Sequence, residues 1–148
     1  MMSAVPRWLA RTRASLALLV FIVSAAPRAL AADRPFDGSW VTILSCENAA
    51  GALGYSFKFV SAVKDSVLHG ERGTNGKPGW LQIDGEISPE GQAKLYADGL
   101  VGASETAVGR QPKGTPYGYH IDAKFEGDSG MGKRVEGRPC SITFERKH

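Results

Sequence analysis

Two short pairs of histidine and acid are the residues whose types and spacing best suit metal chemistry. His69 with Glu71, and His120 with Asp122, stand two positions apart, which places both side chains of a pair on one face of a β-strand. Two such strands side by side would supply imidazole and carboxylate ligands for zinc. Both pairs also fall on the polar face of their strands, where histidines and acids occur without a metal. The sequence therefore predicts no metal site and no cofactor.

A second chemical motif is the segment Gly127-Asp128-Ser129-Gly130, which matches the loop that holds the nucleophile in trypsin-like proteases. Met131 stands where a further glycine would follow, no histidine occurs in the expected context, and the chain is far too short for such a double barrel. The same four residues form an ordinary hairpin turn. We therefore predict that the protein is not an enzyme.

Aromatic residues offer a binding surface rather than a catalytic one. Trp40, Tyr55, Tyr117 and Tyr119 are the candidate ligand-binding residues, because aromatic walls with a few hydroxyl groups are typical of small-molecule cavities. In a small barrel the same side chains can instead fill the interior completely. Since a chain of this length has little area to spare for a cavity, the filled interior is favoured.

A glycine-rich loop at 73–79 precedes Trp80, which alternation places on the face opposite Leu81. An exposed tryptophan beside a mobile loop is a plausible contact for another protein, so Trp80, Asn75 and Lys77 are the candidate protein-contact residues. The loop follows no phosphate-binding motif, which leaves a nucleotide without support.

Strands must position all of these residues, because polar and apolar residues alternate with a period of two. In 117–126, for example, Tyr117, Ile121 and Phe125 share one face while His120 and Asp122 share the other. Turn residues separate such segments. Eight strands are predicted, at 38–46, 54–63, 66–72, 79–87, 92–98, 117–126, 131–137 and 140–147.

The predicted fold is all-β, a small eight-stranded antiparallel up-and-down barrel, with a β-sandwich as the alternative. Cys46 and Cys140 are the two cysteines, and they lie in the first and last strands. A barrel makes those strands neighbours, so a disulfide between them would lock the seam. The 99–116 connection is unusually long, which indicates either a missed short strand near 105–109 or a functional flap.

The first 31 residues have the form of a cleaved signal peptide. A basic segment precedes the apolar run 16–26, and Ala29-Leu30-Ala31 matches a signal peptidase site, so we predict cleavage after Ala31 and export to the periplasm or the medium. The apolar run is too short for a permanent membrane anchor. Residues 32–148 then form one domain with 14 basic and 15 acidic residues, a formal charge of −1 that gives no support for nucleic acid as a partner.

Several strings also carry a family resemblance. FDGSW at 36–40, VKDSVLHGERGTNGKPGWLQIDG at 63–85, GTPYGYHIDAKFEG at 114–127 and RPCSITF at 138–144 resemble a family of small exported bacterial proteins, which implies export without implying an activity. More distantly, the string GSW at 38–40 with a late arginine (Arg134, Arg138 or Arg146) is similar to the calycin pattern of lipocalins and related barrels. In that pattern a tryptophan and a late arginine close the base of the barrel.

Three functional hypotheses follow. The favoured one is an exported interaction module, such as an inhibitor or an envelope accessory domain, whose partner is an unidentified protein that contacts Trp80, the 73–79 loop and the 99–116 connection. The alternative is a calycin-like carrier of a small apolar or aromatic ligand. A metal-dependent hydrolase ranks last, because every acid–base candidate lies on a polar face.

Overall fold

The computed structural model describes residues 33–148, which form eight antiparallel strands that close into a barrel. Each strand pairs with the next one along the chain, and β1 pairs with β8. No helix within 33–148 is long and apolar enough to cross a membrane. The predicted signal peptide and its cleavage site after Ala31 lie outside the described residues. The strands are β1 Gly38–Cys46, β2 Tyr55–Lys64, β3 Val67–Arg72, β4 Leu81–Ile87, β5 Gln92–Leu100, β6 Pro116–Glu126, β7 Ser129–Arg134 and β8 Cys140–Arg146.

Alternation along each strand directs one set of side chains into the barrel. In β6, Tyr119, Ile121 and Phe125 are buried while His120 and Asp122 are exposed, as the period of two predicts. The buried side chains form one core cluster that draws on every strand except β7, whose buried positions are the glycines Gly130 and Gly132. The predicted all-β barrel is therefore confirmed.

Strand boundaries differ from the prediction by up to three residues, and backbone conformation explains where β4 and β7 begin. β4 begins at Leu81 rather than 79, since Gly79 has a φ of +85°, which an extended strand does not accommodate. β7 begins at Ser129 rather than 131, because Gly127 (φ +56°) and Asp128 alone make the turn and Ser129 already pairs with β6. β7 then ends at Arg134.

The seam between β1 and β8 closes the sheet, which rules out the sandwich alternative. Their pairing runs from Trp40 opposite Arg146 to Cys46 opposite Cys140. The two cysteines form the predicted disulfide across a sequence separation of 94 residues. The covalent bond therefore joins the strands that are farthest apart along the domain.

The two ends of the barrel differ in the length of their connections. At one end, here called the base, the turns 65–66, 88–91 and 127–128 are short. At the other end, here called the mouth, the connections 47–54, 73–80, 101–115 and 135–139 are longer. Loop-rich barrel mouths are a common place for ligand sites. The connection lengths thus direct attention to the mouth.

Aromatic packing fills the base. The Trp40 ring meets Phe125 edge-on at 5.2 Å between centroids, and Phe36 packs on Phe125 from the preceding segment at 5.8 Å. Arg146 lies over the Trp40 ring, with its guanidinium carbon 4.5 Å from the centroid, and donates hydrogen bonds of 2.8 Å to the carbonyls of Pro35 and Asp37. Among the three late arginines, Arg146 is thus the one that closes the base, while the calycin resemblance itself stays a prediction.

Asp37 holds the adjoining turn. Its carboxylate accepts hydrogen bonds of 2.9 Å from the backbone amides of Asp65 and Ser66. Both turn residues have positive φ values, 54° and 66°, which the tight hairpins of twisted sheets require but which non-glycine residues adopt at a cost. The carboxylate compensates for that cost by satisfying the amides of the turn.

Candidate functional site

A cavity of about 390 Å³ opens at the mouth of the barrel. β2 supplies Tyr55 and Phe57 to its wall, β6 supplies Tyr117, and the 101–115 connection covers it with small and apolar residues. The volume falls within the roughly 300–1,000 Å³ typical of ligand pockets. The expectation of a filled interior therefore holds for the base and is wrong for the mouth.

The 101–115 connection contains two 3₁₀ turns, Ser104–Thr106 and Val108–Arg110, in place of the short strand considered near 105–109. That strand prediction is wrong because Gly109 and Arg110 have φ values of 72° and 52°, which an extended strand excludes. The backbone of Glu105 accepts a 2.8 Å hydrogen bond from the Leu53 amide, which ties the connection to the neighbouring one. The alternative, a flap, agrees with its position over the cavity, while a functional role for it stays a prediction.

Three arginines line the cavity, and each lies over an aromatic ring. The guanidinium carbon of Arg72 is 3.7 Å from the Phe57 centroid, that of Arg134 is 4.0 Å from the Tyr119 centroid, and that of Arg138 is 5.2 Å from the Tyr55 centroid. Stacking of this kind orients the planar guanidinium group and buries its stem. The mouth therefore presents three oriented cations.

Backbone carbonyls hold these guanidinium groups in place. Arg72 donates to the Gly79 carbonyl at 2.8 Å, and Arg134 donates to the Glu136 carbonyl. Arg138 donates to the Thr106 carbonyl at 2.6 Å and the Leu53 carbonyl at 3.0 Å, and also to the Glu47 carbonyl. Within the described part of the chain, none of the three forms an ion pair with a carboxylate.

Three tyrosines stand among these arginines. Tyr117 and Tyr119 stack in parallel at 6.2 Å between ring centroids. Burial raises the pKa of Tyr55, Tyr117 and Tyr119 above the ordinary value of 10.0, although nearby arginines oppose the shift. The three phenols are consequently neutral at physiological pH and available as hydrogen-bond donors. The Tyr119 hydroxyl is buried without a hydrogen-bond partner in residues 33–148.

Gly99 allows Tyr117 to lie where it does. The two residues face each other across β5 and β6, and a Cβ atom on Gly99 would stand 2.3 Å from Cζ of Tyr117. The ring therefore lies directly over the glycine, and the glycine shapes this wall of the cavity.

The predicted ligand-binding set divides between the two ends. Tyr55 and Tyr117 line the mouth cavity, and Tyr119 is buried beside Tyr117. Trp40 lies in the base, where its indole nitrogen donates to the Phe36 carbonyl at 3.0 Å. Trp40 therefore does not line the mouth cavity, because strand alternation gives the face of a residue but not its height in the barrel.

The predicted protein-contact residues lie in the 73–80 connection at the mouth. Asn75 and Lys77 are exposed, but Trp80 is only half-buried rather than exposed. Its indole nitrogen donates a 2.7 Å hydrogen bond to the Glu71 carboxylate, and its carbonyl accepts one from the Leu100 amide. The tryptophan thus holds the end of its loop against the sheet.

The two histidine–acid pairs do not converge. His69 on β3 hydrogen-bonds Asp84 at 2.6 Å, and His120 on β6 hydrogen-bonds Glu136 at 2.6 Å. β4 and β5 separate the two strands. Over residues 33–148 there is no group of three or more side chains that would hold a metal ion.

The 127–130 segment is the β6–β7 turn at the base, at the opposite end from the cavity. Asp128 accepts a 2.6 Å hydrogen bond from Nε of Arg146. The acid of this segment thus takes part in closing the base.

Sequence reasoning missed the arginine set at the mouth, although a signal was present. In β3 the inward positions are Leu68, Gly70 and Arg72, and in β7 the last inward position is Arg134. An arginine on the apolar face at the end of a strand is unusual, since arginine is mostly exposed in proteins. The alternation that predicted the strands therefore also places Arg72 and Arg134, two of the three cavity arginines, on the inward face.

Comparisons with protein-family models, with curated proteins and with solved structures found no match for this chain.

Proposed function

We propose that residues 32–148 form an exported, non-enzymatic binding domain that holds a small ligand with an aromatic or apolar body in the mouth cavity. The observation that carries the proposal is the cavity of about 390 Å³, walled by Tyr55, Phe57 and Tyr117. Aromatic walls with a few oriented polar groups are the usual composition of small-molecule sites. The carrier hypothesis therefore ranks above the interaction module.

The change of ranking follows from where the side chains pack. The interaction hypothesis assumed that a chain of this length has too little area to enclose a cavity. The base does have a filled core, in which Trp40, Phe125 and Phe144 are fully buried. At the mouth, however, the strands extend beyond this core and carry long connections that enclose additional space.

Export is part of the proposal. Signal peptidase would release the domain after Ala31, and the protein would act in the periplasm or the medium without a permanent membrane anchor. The Cys46–Cys140 disulfide supports this location, since such bonds persist in oxidising compartments. Intact mass measurement of the exported protein should give a chain that starts at Ala32; a chain that retains Met1 in a membrane fraction would contradict it.

A neutral fluorescent probe tests the cavity itself. N-phenyl-1-naphthylamine should bind with saturation at one molecule per chain, because its body is aromatic and uncharged. Ala103→Phe, which fills the cavity, should abolish this binding. Ala62→Phe is the matched control, because Ala62 is exposed on the outer face of β2. Loss of binding in both variants, or in neither, would refute the cavity as the site.

Protein interaction at the rim is the second candidate function. Leu53 and Val108 are exposed hydrophobic residues on two mouth connections that contact each other through the Leu53–Glu105 hydrogen bond. Exposed apolar groups at the edge of a site are typical of contact surfaces. Native mass spectrometry of protein purified from the host envelope, without denaturation, separates the two: a bound small molecule supports the carrier, and a stoichiometric protein supports interaction.

A further inference from the structure

We propose that the ligand of the mouth cavity carries an anionic group, a carboxylate, sulfonate or phosphate, which binds between Arg134 and Arg138. This inference rests on the proposed function, since it names the chemical class of the molecule that the cavity holds. It is carried by the charge, burial and hydrogen bonding of the residues that line the mouth.

The charge of the lining is the first observation. Arg72, Arg134 and Arg138 line the cavity, and no aspartate or glutamate of residues 33–148 does. Their hydrogen bonds go to backbone carbonyls, which bring partial charges but no full negative charge. Low-dielectric walls around charges of one sign concentrate their field, so the cavity attracts anions.

The burial of Arg138 is the second observation. Its relative exposure is 6%, and its Nε is buried without a hydrogen-bond partner in the described range 33–148. Arginine is almost never fully buried unless it is paired, because removing a charge from water is costly. An anion in the cavity would provide the counter-charge that the described residues lack.

The tyrosines supply neutral donors beside this pair of arginines. The Tyr55 ring lies beneath Arg138, and the Tyr119 ring lies beneath Arg134. Tyr55 lines the cavity, whereas the Tyr119 hydroxyl is buried and Tyr119 is not part of the lining. A phenol that stays protonated donates to an anion, whereas a carboxylate in its place would repel one. Tyr55 is therefore the neutral donor beside Arg138 that matches an anionic group.

The rest of the cavity suits the body of such a ligand. Leu100, Val101, Ala107 and Val108 face it from β5 and the 101–115 connection. Arg72 stands on β3, which is four strands away from β7 in the barrel order. The anionic group is thereby directed to one side of the mouth, and the apolar body to the connection that covers it.

A matched pair of probes tests this class. 8-Anilino-1-naphthalenesulfonate has the same ring system as N-phenyl-1-naphthylamine and adds one sulfonate. We expect the sulfonate to bind at least about tenfold more tightly than the neutral probe at low salt, since hydrogen bonds to charged groups are worth this much. Added sodium chloride should weaken binding of the sulfonate and leave the neutral probe unaffected.

Substitutions then locate the anionic group. Arg134→Gln should weaken binding of the sulfonate about tenfold or more while changing the neutral probe less than about twofold. Arg72→Gln should have a smaller effect, and Arg110→Gln, on an exposed residue outside the lining, is the control for net charge. At position 138 the variant to use is Arg138→Lys, because it keeps the buried charge where complete removal of the guanidinium would prevent folding.

Gln111→Glu is the complementary variant, because it places a carboxylate on the cavity wall and should weaken the sulfonate alone. Equal affinities for the two probes, or an equal loss of both in Arg134→Gln, would overturn the anionic class. A larger effect of Arg72→Gln than of Arg134→Gln would overturn the placement. If neither probe bound the native protein, the proposed function itself would fail.

Discussion

Removal of the Cys46–Cys140 disulfide gives a quantitative test of how the barrel is stabilised. The bond closes a loop of 94 residues in sequence separation, so its loss should release unfolded-state entropy equivalent to roughly 4.6 kcal/mol. A domain of this size has about 5–15 kcal/mol of stability in total. We therefore expect the Cys46→Ala/Cys140→Ala variant to fold but to be strongly destabilised.

Urea denaturation followed by circular dichroism measures this effect. With an m-value of about 1.5–2 kcal/mol/M, the midpoint should fall by roughly 2–3 M. A reducing agent should lower the urea midpoint of the native protein by a similar amount and leave the midpoint of the double variant unchanged. This comparison separates the effect of the bond from that of side-chain packing. A shift below about 0.5 M with an unchanged m-value would refute the reasoning, because the bond would then not restrain the unfolded chain.

Three further predictions concern single side chains. Arg146→Met should destabilise the fold by about 2–4 kcal/mol in urea denaturation, because two carbonyl hydrogen bonds and an ion pair at the base are lost; a change below 0.5 kcal/mol would contradict this. Gly99→Ala should lower the free energy of unfolding by about 1–3 kcal/mol, because the added methyl group clashes with Tyr117. In a double-mutant cycle, Gly99→Ala should cost much less stability when Tyr117→Ala has already removed the ring. Hydrogen bonds from the backbone and ring of His120 lower the pKa of Glu136 from 4.5, so the native protein should lose stability as pH falls below that value. The urea midpoint of the native protein should therefore fall between pH 6 and pH 3, and the midpoint of Glu136→Gln should fall less.

Alternation of residue type was enough to predict the strands and the closure of the barrel. It is a local signal that each strand carries in its own sequence, and the two cysteines supplied the one long-range constraint that joins β1 to β8. The turn at 127–128 is equally local, whereas the turn at 65–66 also depends on the Asp37 carboxylate. The fold therefore required little information from distant residues.

The candidate site could not be predicted in the same way, because the mouth consists of connections without periodicity. Arg138 lies between β7 and β8, and its hydrogen-bond partners Glu47, Leu53 and Thr106 come from two other connections. Only the closed barrel brings these segments together. Whether space remains inside also depends on the summed volume of inward side chains, which no single strand determines.

Comparison of the two ends of the barrel separates structural arginines from those that we assign to a ligand. Arg146 at the base and Arg138 at the mouth both lie over an aromatic ring and both donate to backbone carbonyls. Arg146 also pairs with the Asp128 carboxylate at 2.6 Å and does not line the mouth cavity. Arg138 is buried beside a cavity and pairs with no carboxylate of residues 33–148. Arg138 is more deeply buried than Arg146 yet lacks a carboxylate partner in residues 33–148, and this difference is why we assign the missing counter-charge at the mouth to a ligand.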